Sequence, residues 1–275
     1  MQKFVFTKYG CKQNVAYVLI MHIYCVKFKT IRMVMLILLV GVLLAVNVGG
    51  YTPASVFFGN ALRKVPVYYV ATDKKQVAIS FDAAWGADKT AKIIEICNQF
   101  NVKATFFLVG MWVEKYPDMV KLIDDNGFEI GTHSNTHPDM TKLSAEKQSL
   151  ELSTSVNLIK NITGKDVKIF RAPFGAYNDT LITTAESLNL LTIQWDVDSL
   201  DWKGLSAMEI TNRVLNGVRN GSIILCHNNS DHILEALPIM LDRLQKRGYK
   251  ITPVGELILD GDFVIDNNGM QSRKI

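Results

Sequence analysis

Residues 77–81 read VAISF, residues 104–109 ATFFLV, residues 128–132 FEIGT and residues 222–226 SIILC. Each is a short apolar run with β-branched or aromatic side chains, the composition of a strand buried on both faces. Between them the apolar period lengthens to that of a helix. Thr90, Ile93, Ile94, Cys97 and Phe100 share one face of a helix expected over Asp88–Phe100. Val113, Tyr116, Val120 and Ile123 do so over Trp112–Asn126, with Gly127 as the stop. Ser144 caps a long helix running to Gly164, and a further helix is expected over Asp179–Asn189. Ser206 and Glu209 form a capping box for a helix stopping at Gly221. Asp231 is placed to cap a last helix, with Leu234, Leu237, Leu241 and Leu244 on one stripe and Gly248 at its end. Shorter strands are expected at 168–171, 191–195 and 250–253, and a possible one at 67–70. Strand-helix alternation implies parallel strands joined by right-handed crossovers, so the fold class is α/β. Seven such strands make either an open doubly wound sheet or a closed barrel, and periodicity does not choose between them. No glycine-rich phosphate loop follows the first strand, against a dinucleotide-binding domain.

Outside this region the chain changes character. Residues 33–48 read MVMLILLVGVLLAVNV behind Lys27, Lys29 and Arg32. A basic flank before a nearly uncharged apolar run reads as a membrane anchor or a signal segment. The expected organisation is a cytoplasmic tail over 1–32, the membrane segment over 33–50 and a linker over 51–75. A catalytic-type α/β domain follows over 76–255, then a tail over 256–275. The flank orients the domain outside the cytoplasm; cleavage of the segment would make it secreted. The 275 residues are 48% hydrophobic with net charge +4, so the chain is not generally disordered. No basic stripe interleaves with aromatics, so nucleic acid is not an expected partner. The four cysteines form no C-x-x-C pair, and Cys97 and Cys226 fall at core positions. The sequence sets no oligomeric state.

The polar residues cluster where parallel α/β folds carry chemistry, at the carboxyl ends of the strands. Asp82 follows the first strand, His133 and His137 the third, Arg171 the fourth, Asp198 and Asp201 the fifth, and His227 ends the sixth. In His133-Ser-Asn-Thr-His137 a helical turn would point both imidazoles the same way, a spacing common among ligands of zinc-like metals.

Five ordered stretches carry a family resemblance: Ser80-Phe-Asp-Ala-Ala-Trp-Gly86, His133-Ser-Asn-Thr-His137, Arg171-Ala-Pro-Phe-Gly175, Asp198-Ser-Leu-Asp-Trp202 and Leu225-Cys-His227. In these, residues 76–255 resemble the polysaccharide deacetylases of carbohydrate esterase family 4, the NodB-homology domain. The resemblance implies a distorted (β/α) barrel of about seven parallel strands that removes N-acetyl groups from a glycan. It implies Asp82 as the base, Arg171 as the residue orienting it, and His133 and His137 as ligands of a divalent metal such as zinc. It implies the Phe174 backbone N–H as an oxyanion donor, and His227 as the general acid with Asp201 as its tuning partner. Trp202 and Leu225 match the walls of an acetyl pocket. Such residue types suit amide hydrolysis, which needs an activated water, a stabilised oxyanion and a protonated leaving amine.

One departure matters. Family members carry a second aspartate, a metal ligand, where this chain has Ala83. The ligand set is reduced to His133 and His137, short of the three protein ligands of a catalytic zinc site. The Phe-Asp-Ala-Ala-Trp-Gly wording resembles the PdaB-type subgroup linked to sporulation, which implies peptidoglycan or a related wall glycan as target. The alternative is a catalytically impaired relative that binds glycan or serves as a scaffold in the spore envelope. Trp85 and Trp202 either line a sugar groove or pack at the barrel mouth. Asn228 and Asn229 either bind substrate hydroxyls or shape a turn. Asp198 is expected to stabilise its own loop.

Overall fold

The computed structural model describes residues 28–41 and 63–274. Residues 28–41 form one helix, α1, whose side chains are exposed. Among the described residues no helix is long and apolar enough to cross a membrane. Residues 42–50, the second half of the expected membrane segment, lie outside the described residues, as does 51–62 of the expected linker.

The unit beginning at Arg63 is an α/β half-barrel. Its strands are β1 (Tyr69–Val70), β2 (Gln76–Ala83), β3 (Thr105–Leu108), β4 (Glu129–Thr132), β5 (Ile169–Phe170), β6 (Leu191–Thr192), β7 (Val197–Asp198), β8 (Ile223–His227) and β9 (Lys250–Thr252). Seven of them pair in the order β6-β5-β4-β3-β2-β8-β7, and β9 adds to the amino-terminal half of β2. Every pairing in this sheet is parallel. The open-sheet alternative gives way to a curled one, because side chains from strands across the sheet, Ala78, Phe107, Ile169 and Ile223 among them, meet in one cluster inside it. Strand alternation creates two apolar layers. Val77, Ile79, Phe81 and Ala83 of β2 face the layer shared with the surrounding helices. Ala78 joins Phe107, Ile169, Ile193 and Ile223 in a smaller cluster. By the same alternation Ser80 and Asp82 fall on the face of Ala78, opposite the helix layer.

The helices are α2 (Thr90–Gln99), α3 (Gly110–Lys115), α4 (Pro117–Asp125), α5 (Ala145–Thr163), α6 (Asp179–Ser187), α7 (Ala207–Gly217), α8 (Ile233–Lys246) and α9 (Val254–Leu257). The Ser206–Glu209 capping box forms, as does the Ser144 cap, and α5 ends at left-handed Gly164. Three expectations need correction. The single helix over Trp112–Asn126 is two, because Pro117 has no N–H to continue a helix and disfavours α geometry at Tyr116, which lies at φ −131°. Pro117 instead opens α4 at its first position. Helix α7 stops at Gly217, four residues before Gly221, as Val218 turns extended at ψ 141°. Asp231 does not cap α8: His232 holds that position without a side-chain cap.

Residues 256–275, a tail by sequence, fold back in large part. β10 (Phe263–Ile265) and β11 (Met270–Arg273) form a hairpin, and β11 pairs in parallel with β1. Both Cys97 and Cys226 are free and buried.

Candidate active site

Parallel pairing of β2 with β8 puts Asp82 directly beside His227 at the strand ends. Thr132 pairs with Phe170, so the chain leaving β4 through His133 runs beside the chain leaving β5 through Arg171. Asp82, His133, His137, Phe174, Asp198, Asp201, Trp202, Leu225 and His227 all line one cavity of about 710 Å³. That volume falls in the usual small-molecule range of about 300–1,000 Å³. A second cavity of about 580 Å³, between β4 and the carboxyl-terminal segment, holds none of these groups.

Arg171 lies beneath the cavity with no exposed surface. Its Nη1 donates to Asp82 Oδ1 and to Ser80 Oγ, each at 2.8 Å, and its Nη2 donates to the Gln194 carbonyl at 3.1 Å. The guanidinium stacks over Phe107 at 4.1 Å. Burial alone would raise the Asp82 pKa, but the Arg171 guanidinium, with smaller help from His133 and His227, holds it below the usual carboxylate range. Asp82 is therefore an ionised carboxylate held in one orientation.

On the other side of the cavity Asp201 grips His227 twice. Its Oδ1 lies 2.7 Å from His227 Nδ1, and its Oδ2 accepts the His227 backbone N–H at 2.8 Å. Burial works against protonation of His227, yet the Asp201 hydrogen bond and charge raise its pKa above the ordinary value. An imidazole so held stays protonated to higher pH and offers Nε2–H as an acid. Asp201→Asn removes that charge, so the basic limb of the kcat/KM–pH profile is expected to move to lower pH. The limb follows loss of the His227 proton, and a folded pKa nearer the ordinary value loses it earlier. An unmoved limb would remove Asp201 from this role.

The histidine loop differs from the helical turn expected. Ser134 and His137 adopt left-handed backbone, at φ 68° and 59°. The rings still meet, with centroids 4.9 Å apart. His133 Nδ1 lies 2.8 Å from the Arg171 carbonyl, which only accepts, so Nδ1 carries the proton and Nε2 carries the lone pair. That Nε2 faces Asp82 Oδ2 at 3.5 Å. Burial lowers the pKa of His133, and burial followed by the neighbouring His133 pushes His137 to about 4.

Glu151 of α5, which no sequence signal marks, holds this loop. It accepts the Asn135 N–H at 2.9 Å, the Thr136 N–H at 2.8 Å and the Thr136 hydroxyl at 2.7 Å. Glu151→Ala is expected to lower stability by about 0.5–1.5 kcal/mol, the usual net worth of a hydrogen bond, because the Thr136 donors are exposed and water can reach them. Denaturant unfolding checks it; an unchanged midpoint would mean that water replaces the carboxylate freely. Ser80, quoted in the first of the five stretches without a role, also contributes, accepting from Arg171 while donating to the Ile224 carbonyl at 2.8 Å.

The metal test comes out short. His133 and His137 present lone pairs, but Ala83 ends in a methyl group and packs in the helix-facing layer. Among the described residues no group of three or more His, Cys, Asp or Glu side chains is placed to hold a metal ion. The donors present do not make a three-ligand catalytic site.

Phe174 sits in the turn Pro173–Gly175 at φ 60°, a left-handed conformation costly for a side-chain-bearing residue. Its backbone N–H makes none of the backbone hydrogen bonds that close this turn. Asp198 accepts the Leu200 N–H at 2.8 Å, the loop role expected of it. Asn228 is buried and donates to the Gly86 carbonyl and to Thr90 Oγ1, so it shapes a turn.

The sequence profile of the polysaccharide deacetylase family matches residues 69–193. A solved peptidoglycan N-acetylglucosamine deacetylase is 32% identical with a TM-score of 0.67, covering 70% of this chain and 91% of that one. The chain belongs to the polysaccharide deacetylase family. Another solved family member, a CE4 family pseudoenzyme of Bacillus anthracis, is 35% identical with a TM-score of 0.68 over 70% of this chain and 68% of that chain. A mutant of that pseudoenzyme with restored enzymatic activity superposes equally well, at TM-score 0.68. The peptidoglycan-N-acetylglucosamine deacetylase of Bacillus cereus is 36% identical over 172 residues, 62% of this chain and 62% of that protein. The chain thus spans under two thirds of that relative's length. Asp82 with Arg171, and Asp201 with His227, stand here as two preassembled pairs, and Ala83 stands where the resemblance expects an aspartate.

Proposed function

We propose that this chain is an N-deacetylase of a cell-wall glycan such as peptidoglycan. The observation that carries the reading is the pair of separately held groups facing one cavity. Arg171 keeps Asp82 ionised, while Asp201 keeps His227 protonatable. Environments that push two neighbouring titrations apart mark an acid and a base. A protein that only binds glycan has no evident need of either.

The chain's own residues account for the proton transfers. Asp82 takes a proton from a water whose oxygen adds to the acetyl carbonyl carbon. The Phe174 N–H meets the oxyanion that forms. His227 Nε2 gives its proton to the amide nitrogen, the C–N bond breaks, and acetate and a free amine leave. Arg171 and Asp201 touch no reacting atom in this scheme and act by positioning. The basic flank and apolar run of residues 27–50 support a membrane anchor with the folded unit outside the cytoplasm. The Phe-Asp-Ala-Ala-Trp-Gly wording supports a role in sporulation.

Ala83 favours a second reading, an impaired relative that binds glycan or acts as a scaffold. The likeness to a pseudoenzyme points the same way. Acetate release from N-acetylated peptidoglycan, with and without divalent metal and chelator, separates the two. Release that disappears in Asp82→Asn is the expected result. No release by folded protein, across several metals and glycans, leaves the binding role.

A further inference from the structure

Lys89 is the residue just before α2, on the loop that follows β2 and Asp82. Lysines at helix ends are mostly solvated surface charges. This one is tied down. Its Nζ donates to the Ser230 carbonyl at 2.9 Å and to the Asn229 carbonyl at 3.2 Å, and its side chain is only 21% exposed. Both acceptors lie on the loop that follows β8 and His227. The ammonium also comes within 3.9 Å of Asp231, but that carboxylate is 85% exposed, so the ion pair itself contributes little.

The loop that Lys89 holds has few other ties. Among the described residues no backbone N–H donates to the Asn229 or the Ser230 carbonyl, and the Ser230 hydroxyl is buried without a partner. The near end of the loop is anchored through Asn228. Its N–H donates to the Asp82 carbonyl at 3.2 Å, and its Nδ2 donates to the Gly86 carbonyl at 3.0 Å and to Thr90 Oγ1 at 3.2 Å. The Gly86 carbonyl also accepts from Trp112 Nε1 at 2.6 Å, so the loop that carries Lys89 and the exposed Trp85 is itself pinned. Over Asn229–Asp231 the ammonium is thus the tie between a fixed loop and one that makes few bonds of its own. It suits that place, because it offers three donors from one point and two of them meet consecutive carbonyls. What depends on it is a wall of the cavity: Asn229, Ser230 and Asp231 line it together with Asp82 and His227. His227 has separate anchors, the β2–β8 pairing and its two bonds to Asp201.

We propose that Lys89 is a positioning residue that fixes the 229–231 loop as a substrate-binding wall, and so sets substrate affinity without entering the proton transfers. The kinetic part of the inference rests on the deacetylase reading; the structural part does not. The test compares the full-length chain with Lys89→Met, which keeps the aliphatic stem and loses the donors, and with Lys89→Arg, which keeps donors and charge. In Lys89→Met the backbone order parameters of residues 229–231, from nitrogen-15 relaxation, are expected to fall from about 0.85 to below about 0.6, with 223–227 unchanged. KM for acetate release is expected to rise about tenfold, the factor set by losing one hydrogen bond to a charged group. kcat and the basic limb of the pH profile should stay where they are, the pattern of lost ground-state binding. Lys89→Arg should return both readouts most of the way to wild type. A lysine that served stability alone would lower the thermal midpoint without dividing KM from kcat. Unchanged order parameters in Lys89→Met, an unchanged KM, or a loss that falls on kcat overturns the proposal. If wild type releases no acetate, the deacetylase reading fails. The affinity for the β-1,4-linked N-acetylglucosamine tetramer, by isothermal titration, then takes the place of KM: a tenfold loss in Lys89→Met sustains the proposal and an unaltered value overturns it.

Discussion

Asp82→Asn and His227→Ala are each expected to lower kcat for acetate release by about 10²–10⁴-fold, the usual worth of a positioned general base or acid. The two reach that loss by different routes. Asparagine keeps the shape of Asp82 and still accepts from Arg171 Nη1, but it takes no proton from water. Arg171 then retains its charge with no exposed surface and only the neutral Ser80 Oγ and Gln194 carbonyl beside it. Some stability goes too, though less than the about 3–5 kcal/mol of stripping a buried pair of one partner. His227→Ala removes the acid and leaves Asp201 accepting the same backbone N–H, so the strand end keeps its anchor. Substrate binding should be little altered in either, and the loss should fall on kcat. Turnover near the wild-type rate in both variants, measured on folded protein, would falsify the assignment.

Ala83→Asp is expected to raise divalent-metal affinity by more than the roughly 10–100-fold that outer-shell partners alone contribute. The side chain at this position has no exposed surface. A carboxylate there without metal is a buried charge without a partner, so the variant should melt below wild type in chelator. Metal should then restore it, by about 2.7 kcal/mol at a free concentration 100 times the dissociation constant. Wild type, with two imidazoles only, should show little such shift. The paired readouts are metal titration and thermal unfolding with and without metal. Equal affinity and equal metal-induced shifts in the two proteins would mean that another group already completes the ligand set. Gain of acetate release in the same variant would parallel the restored activity of the Bacillus anthracis relative's mutant.

The alternation of strand and helix was legible because each strand is apolar on both faces and each helix carries its own stripe. Errors came where a local signal competes with another. Pro117 has no mark in an apolar stripe that runs on through Tyr116 and Val120, yet its missing N–H splits the helix. Asp231 has the chemistry of a cap, but its carboxylate lies 3.9 Å from Lys89 instead. The carboxyl-terminal hairpin was missed because β10 is only three residues long, β11 reads MQSR, and β1, the parallel partner of β11, lies about 200 residues earlier in the chain. Glu151 was invisible for a similar reason: its three donors come from a loop 15 or 16 residues away, a spacing with no periodic signature.

The sequence by itself determined the α/β class, the strand ends that carry the polar groups, and the absence of a third metal ligand at Ala83. These follow from residue type and local spacing, which need no knowledge of distant contacts. Only the tertiary structure decided between an open sheet and a curled one, because curvature depends on how strands pair across long separations. It alone set Asp82 beside His227, through parallel register between β2 and β8, and buried Arg171, which follows β5, against Asp82. It also left Trp85 exposed on a pinned loop, since whether an indole packs or stands free depends on what the rest of the chain brings to it.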